Sequence, residues 1–514
     1  MAASGILVAG TSSDAGKSVI VAGLCRALAR RGLRVAPFKA QNMSNNSMVC
    51  ADGGEIGRAQ YLQAQAAGVT ATTAMNPVLL KPGSDRRSFV VVRGRPDGVL
   101  EAGEYAAGRA HLAQAAFAAY TELAEAYDLV VCEGAGSPAE INLRQGDYVN
   151  LGLARRFGLP VVVVGDIDRG GVLAALYGTW ALLDREDRAL LKGFVVNKFR
   201  GDPDLLRPGL DEISARTGMP CHGVVPWLLD VWLDSEDTLG VGPWRAGAAA
   251  ARTRADRLTV AVVRSPRISN ATDVDAIAAE PGVDVLVTVD PAALELADLV
   301  VLPGSRATVT DLAWLRARGL AEVVLARAEQ GRPVLGICGG YQMLATQIAD
   351  DLETGAGLVP GLGLLPVRVE FAAAKTLGRP QGSWQGHRVQ AYEIHHGRAR
   401  LVGAAGCATG HPGVASTSVD GASPGPVPFL DGWQVGQVWG TMWHGAFEND
   451  GFRRAWLAGI ARAAGSGWRP DPQAAGFAAR REHMLDVLAD ALEEHVDIDA
   501  LLALTRVSHA ERTS

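Results

Sequence analysis

Short, wholly apolar runs alternate with Ala- and Leu-rich stretches over roughly the first 235 residues. Ile6–Ala9, Val35–Phe38, Leu129–Cys132, Val161–Val164 and Phe194–Asn197 each read as a buried strand, ending at Gly, Lys, Glu, Asp or Asn. Strands that are apolar on both faces and alternate with helices predict a parallel, doubly wound α/β sheet. Polar residues at strand carboxyl ends mark the edge where such sheets hold ligands. A Gly-, Ala- and Arg-rich stretch, 238–257, reads as a linker. A second α/β unit starts with the strands Leu258–Val263, Val283–Val287, Leu299–Leu302 and Val334–Gly336 and closes near residue 465. In the tail, 466–514, Leu485, Leu488 and Leu492 share one face of a helical pattern, predicting a packing or dimer helix. The expected division is therefore 1–237, linker 238–257, 258–465 and the tail.

Composition agrees with more than one domain, since 514 residues exceed what a single core organises. A net charge of −6 argues against a general nucleic-acid binder. No apolar run approaches the roughly 18 residues of a membrane span, and the N-terminus lacks the basic region of a signal peptide. The six cysteines, at 25, 50, 132, 221, 338 and 407, form no CxxC pair. That spacing suggests neither a disulfide framework nor a zinc site, and a cytoplasmic setting is expected. A homo-oligomer remains open.

The first polar signal is Gly10-Thr11-Ser12-Ser13-Asp14-Ala15-Gly16-Lys17-Ser18, between a strand and a helix expected at 17–31. Glycines let backbone N–H groups turn toward phosphate oxygens, and the helix N-terminus adds partial positive charge. Lys17 then meets the β- and γ-phosphates of ATP, and the Ser18 hydroxyl holds Mg²⁺. Five residues, instead of four, separate Gly10 from Gly16. This spacing resembles the loop of dethiobiotin synthetase and its relatives, as do Lys39 in Pro37-Phe38-Lys39, Glu133 in Val131-Cys132-Glu133-Gly134 and Asn197 in Val196-Asn197-Lys198. The resemblance implies that Lys39 touches phosphates, Glu133 binds Mg²⁺ and Asn197 reads adenine, with Asp52 a further metal candidate. Partition-type ATPases carry a lysine five positions before the main one, where this chain has Ser12.

The second polar signal is Val334-Leu335-Gly336-Ile337-Cys338-Gly339-Gly340-Tyr341-Gln342. Gly336-x-Cys338-x-Gly340 is the cysteine form of the nucleophile elbow, whose glycines allow a sharp turn that exposes the side chain; a helix N-terminus favours the thiolate. Gly339 N–H and the loop Pro303-Gly304-Ser305 are the expected oxyanion donors. His444, after the apolar stretch Val435–Trp439, ranks above His395 and His396 as the base, as in class I glutamine amidotransferases. That class has an acid two residues after the histidine. Here position 446 is Ala, and Glu448 lies farther along, so the third group is left open.

From end to end the chain resembles the cobyric acid synthase family. The resemblance rests on Phe38–Ser47, Glu133–Leu143, Asp166–Val172, Asn197–Asp202, Gly336–Gln342 and Tyr392–His395. It implies a dethiobiotin-synthetase-like P-loop domain fused to a glutaminase of the class I type. The implied reaction is ATP- and glutamine-dependent amidation of the four remaining side-chain carboxylates of (adenosyl)cobyrinic acid a,c-diamide. Asn42, Asn45, Arg144, Asp166 and Arg169 are the candidate corrinoid contacts, with Arg86 and Arg87 as further cations. The competing readings are the enzyme that amidates the a and c carboxylates, CTP synthase, a cell-wall precursor amidotransferase and a nucleotide-switched scaffold.

Overall fold

The computed structural model describes residues 4–84, 87–101, 109–228, 231, 256–402 and 425–505. Most of the expected linker, Arg86 and Cys407 lie outside the described residues, as does the Arg87 side chain. The chain divides into two compact units, Met1–Glu236 with Ala479–Ser514, and Asp237–Ala478. Among the described residues no helix is long and apolar enough to cross a membrane.

The first unit is built on a parallel sheet of β1 (Ser4–Gly10), β2 (Val35–Phe38), β3 (Leu129–Glu133), β4 (Val161–Asp166), β5 (Leu191–Phe199) and β6 (Cys221–Pro226). Its spatial order is β6-β5-β4-β1-β3-β2. All pairings are parallel. From β1 the chain goes to the edge strand β2, returns through β3 beside β1, and then runs outward on the other side through β4, β5 and β6. The topological switch therefore falls at the end of β1, where Gly10 begins the phosphate loop. Every residue of β2, β3 and β4 is buried, which is why these strands read as continuous apolar runs.

The region between β2 and β3 was legible only as motif residues. It forms a four-stranded sheet from Gln41–Met43, Val78–Ser84, Arg87–Val92 and Arg95–Glu101, and a hairpin of Ser47–Val49 with Glu55–Gly57. These strands are short or polar, so their period-2 signal is weak. Inside, Lys81 is ion-paired with Glu55, and the Ser47 hydroxyl also donates to Glu55 at 3.0 Å.

The tail folds back onto the first unit. The helix Phe477–His495 buries Leu485, Leu488 and Leu492 completely. They pack against the helix Lys17–Arg30, hereafter α1, in one core with Ile20, Val21, Leu24 and Leu28. A Cβ on Gly23 would lie 2.5 Å from Leu492 Cδ1, so glycine permits the helices to approach this closely. Around the contact, Arg26 pairs with Glu482 and Asp486 at 2.9 and 2.8 Å, and Arg31 with Asp499 at 2.6 Å. Such half-exposed pairs align the helices and stabilise them little.

The second unit has a seven-stranded sheet: β7 (Leu258–Val263), β8 (Val283–Thr288), β9 (Leu299–Leu302), β10 (Val334–Ile337), β11 (Val427–Phe429), β12 (Gly432–Val435) and β13 (Val438–Thr441). The order is β8-β7-β9-β10-β13-β12-β11. It is parallel from β8 to β13 and antiparallel beyond. The apolar stretch Val435–Trp439 is not one strand: it runs from the last residue of β12 through a turn at Gly436, φ 54°, into β13. A second, four-stranded sheet carries Gly357–Pro360, Gln347–Asp350, Val367–Gly378 and Glu393–Leu401.

Truncating a fully buried leucine of the tail should destabilise the first unit. Leu492→Ala is expected to cost about 2–5 kcal/mol, the usual range for a cavity of that size. Urea unfolding of the full chain, followed by loss of ATP binding, measures it. A midpoint unchanged from wild type would mean that the tail does not support this core.

Candidate active sites

The phosphate loop leaves β1 and enters α1 through Gly16, whose φ of 93° is left-handed. A Cβ there would also meet Asn197 Nδ2 at 2.1 Å, so only glycine fits. Asn197, at the end of β5, donates to Ala15 O at 3.0 Å and so braces the loop from behind. Thr11 N donates to Val164 O at 2.9 Å, tying the loop start to β4. Lys17 Nζ donates to Ser12 O, Ser13 O and Gly136 O at 2.8, 3.0 and 3.2 Å. Its ammonium therefore lies where the phosphate loop and the loop after β3 meet.

Glu133 is the hub of this site. Its Oε1 accepts from Ser18 Oγ at 2.8 Å and from Lys39 Nζ at 2.9 Å, and its Oε2 from Gln63 Nε2 at 2.5 Å. Burial alone would raise its pKa. Lys39, followed by the hydrogen bonds from Lys39, Gln63 and Ser18, more than offsets burial and holds the carboxyl below its ordinary value. A hydroxyl and a carboxylate 2.8 Å apart beside the lysine of a phosphate loop form a hard, all-oxygen donor set that fits Mg²⁺.

Asp52 stands apart from this hub: it accepts from Thr73 N and Oγ1 at 2.8 and 2.9 Å, and no described contact joins it to Glu133. Gln63, which the sequence did not single out, takes the place beside Glu133. Of the corrinoid candidates, Arg144 closes its guanidinium fork on Asp187 at 2.6 and 2.9 Å. Asn42 is buried and donates to Gln60 Oε1 at 2.8 Å. Asn45 is half-buried and its Oδ1 has no hydrogen-bond partner. Asp166 accepts from Lys198 Nζ at 2.7 Å, and Arg169 is exposed and pairs with Asp14 of the phosphate loop at 2.8 Å.

In the second unit four adjacent strands deliver one group each. Cys338 follows β10 with φ 49° and ψ −108°, a strained conformation that glycines around it make room for. A Cβ on Gly340 would lie 1.9 Å from Leu302 O, and one on Gly336 2.7 Å from Tyr341 N. Gly304, after β9, sits against the site: a Cβ there would lie 3.1 Å from His444 Cε1. Likewise a Cβ on Gly339 would be 2.6 Å from Ser305 N, so the two expected oxyanion loops abut. His444 follows β13, whose Thr441 is in register with Ile337 and whose Thr441 O accepts from Cys338 N at 2.7 Å.

The fourth group is Asp273, which no motif in the sequence marks. Its Oδ2 is 2.6 Å from His444 Nδ1, and its Oδ1 accepts from Gly445 N at 2.8 Å. It lies on the excursion after β7, which is zipped to the Gly304 loop by Ser269 N donating to Gly304 O at 2.8 Å. The available signal is its place beyond a parallel strand; no local spacing around the histidine points to an acid 171 residues earlier. Tyr392 stacks on the imidazole at 5.3 Å and exchanges hydrogen bonds with the backbone of His444 at 2.8 and 3.0 Å. Burial lowers the His444 pKa, but the Asp273 carboxylate and then the Cys338 sulfur outweigh it and raise it to about 10. Asp273 occupies Nδ1, so Nε2 is the ring nitrogen left for the Cys338 sulfur. His395 and His396 engage backbone carbonyls through Nδ1 instead, Gly397 O at 2.7 Å and Ala372 O at 3.0 Å.

Comparison with known proteins agrees with both halves. Residues 6–239 match the family model described as CobQ/CobB/MinD/ParA nucleotide binding domain, and residues 259–452 the CobB/CobQ-like glutamine amidotransferase domain. A cobyric acid synthase of Cutibacterium acnes is 65% identical over 505 residues, 98% of this chain and 100% of that protein. The chain belongs to the cobyric acid synthase family. Cobyric acid synthases of Mycolicibacterium vanbaalenii and Streptomyces avermitilis are 56% and 55% identical, each covering 97% of this chain and 96% of their own length. Membership makes the protein a glutamine-dependent ligase and favours a cobyric acid synthase over the partition-type ATPases that share the nucleotide-binding model.

Replacing the orienting acid should separate it from a packing role. Asp273→Asn is expected to lower glutamine hydrolysis on the order of 10²–10⁴-fold, the range for losing an imidazole's orienting partner, with ATP binding unchanged. A raised imidazole pKa stabilises the fold fully below its unfolded value and loses that contribution as pH rises through about 10. The variant should therefore lose less stability than wild type between pH 7 and pH 11. Near-wild-type glutaminase activity in Asp273→Asn would remove it from the catalytic group.

Proposed function

We propose that this protein converts (adenosyl)cobyrinic acid a,c-diamide to (adenosyl)cobyric acid by amidating the b, d, e and g carboxylates in turn, in the cytoplasm. The observation that carries this reading is near-full-length identity to cobyric acid synthases together with both sites present in one chain. Small-molecule chemistry of this kind needs no nucleic acid or membrane partner.

In the glutaminase unit His444 takes the Cys338 thiol proton, and the sulfur attacks the glutamine side-chain carbonyl. The N–H groups at Gly339 and in the Gly304 loop receive the developing oxyanion. Nitrogen leaves as ammonia with the proton that His444 held, and water then releases glutamate from the thioester. Asp273 keeps the imidazole oriented and compensates its charge throughout.

In the synthetase unit a corrinoid carboxylate oxygen attacks the γ-phosphorus of ATP, and ADP leaves. Ammonia then attacks the acyl phosphate, phosphate leaves, a proton is lost and the amide remains. Lys17 and Lys39 place positive charge where the transferring phosphoryl group gathers negative charge. Ser18 and Glu133 would hold Mg²⁺, which when bound neutralises the phosphates. Arg169 stays in place as a cation for corrinoid carboxylates, because its partner Asp14 is exposed and easily exchanged. Arg144, closed on a buried aspartate, is not.

The division of labour is testable with nitrogen donors. Cys338→Ser should abolish amidation from glutamine and spare amidation from high ammonia, read as the mass gain of the corrinoid. Lys17→Ala should eliminate amidation with either donor, consistent with a loss of about 3–4 kcal/mol of transition-state stabilisation. Loss of the ammonia reaction in a folded Cys338→Ser protein would refute two separate sites.

A further inference from the structure

Gln63 stands on the helix Arg58–Ala66 and is 1% exposed. Its Nε2 donates to Glu133 Oε2 at 2.5 Å. Only the NH₂ end of an amide can face a carboxylate, so the position of the carbonyl oxygen follows from the same contact. That oxygen, Oε1, is buried and has no hydrogen-bond partner. A buried acceptor left unmatched is unfavourable, and native interiors keep few of them. The amide that carries it touches the carboxylate that also binds Ser18 and Lys39, the group that would hold the cation. Mg²⁺ sheds its water reluctantly and keeps several molecules in nucleotide sites, each with protons to donate outward.

Building on the ATP-site reading above, we infer that Gln63 is a positioning residue for the metal. Its Nε2 sets the angle of the Glu133 carboxylate, and its Oε1 accepts a hydrogen bond from a water of the bound cation. Residues in such outer positions govern ligand orientation and metal affinity. The same amide tolerates the metal-free state, because its NH₂ group, with Lys39, keeps the buried carboxylate compensated.

The test uses the full-length enzyme and calorimetric titration of ATP at a series of Mg²⁺ concentrations. Gln63→Met keeps the side-chain length and removes both polar atoms; Gln63→Glu keeps an acceptor oxygen and adds charge. The Met variant should need about tenfold more Mg²⁺ for half-maximal ATP binding; the Glu variant, which keeps the acceptor but loses the donor to Glu133, should show a smaller increase. Unchanged Mg²⁺ dependence in the Met variant, or a Glu variant that needs as much Mg²⁺ as the Met variant or more, overturns the inference. Glutamine hydrolysis at Cys338 and circular dichroism report folding. Should the Met variant not fold, Gln63→Leu takes its place under the same two criteria. Unchanged Mg²⁺ dependence in the Met variant with a raised KM for ammonia also overturns it, and would assign Oε1 to the nucleophile. Absence of Mg²⁺-dependent ATP binding in wild type would instead refute the ATP-site reading.

Discussion

A strand buried on both faces has no place for a polar side chain except at its ends, and both units depend on that constraint. β1, β3, β4 and β5 carry apolar interiors and release Gly10, Glu133, Asp166 and Asn197 at or near their carboxyl ends. β9, β10 and β13 do the same with Gly304, Cys338 and His444, and the excursion after β7 brings Asp273 to them. Parallel pairing brings these ends to one edge, so residues far apart in sequence meet without any long-range polar recognition during folding. The same sheet that makes the core makes the site.

Both sites then face the cost of charge away from water, and they meet it alike. Glu133 is buried but surrounded by donors from α1, from the end of β2 and from Gln63. His444 is buried but is held by a carboxylate that also binds the next backbone N–H. An unpaired charge in either position would be several kcal/mol unfavourable. Each pair is therefore a structural necessity and a chemical device together: the lysine beside Glu133 suits phosphate, and the acid beside His444 suits a base that must carry a proton.

The phosphate loop also relies on residues that touch no ligand. α1, which it enters, has Gly23 against Leu492 of the tail, and the loop itself is wedged by Asn197 against Gly16. Several features that read as substrate motifs turn out to be partly internal scaffolding. Arg144 bridges to Asp187, and Asn42 to Gln60. A conspicuous polar run can thus reflect a polar interior as much as a binding surface.

What the sequence determined by itself was whatever is encoded locally. The apolar runs marked both sheets, Gly10–Ser18 marked the phosphate loop, Gly336–Gln342 marked the elbow, and Leu485, Leu488 and Leu492 marked an amphipathic helix. Each depends on periodicity or on backbone freedom within a few residues, and each occurs where it was expected. Only the tertiary structure could identify Asp273, Gln63 and the partner of the tail, because strand order and helix packing decide these and neither leaves a local trace. It also gives the two metal candidates different partners, Thr73 for Asp52 and Ser18, Lys39 and Gln63 for Glu133, which residue type alone does not foretell. Residue type sets what a side chain can do; the fold decides which others are close enough for it to be done.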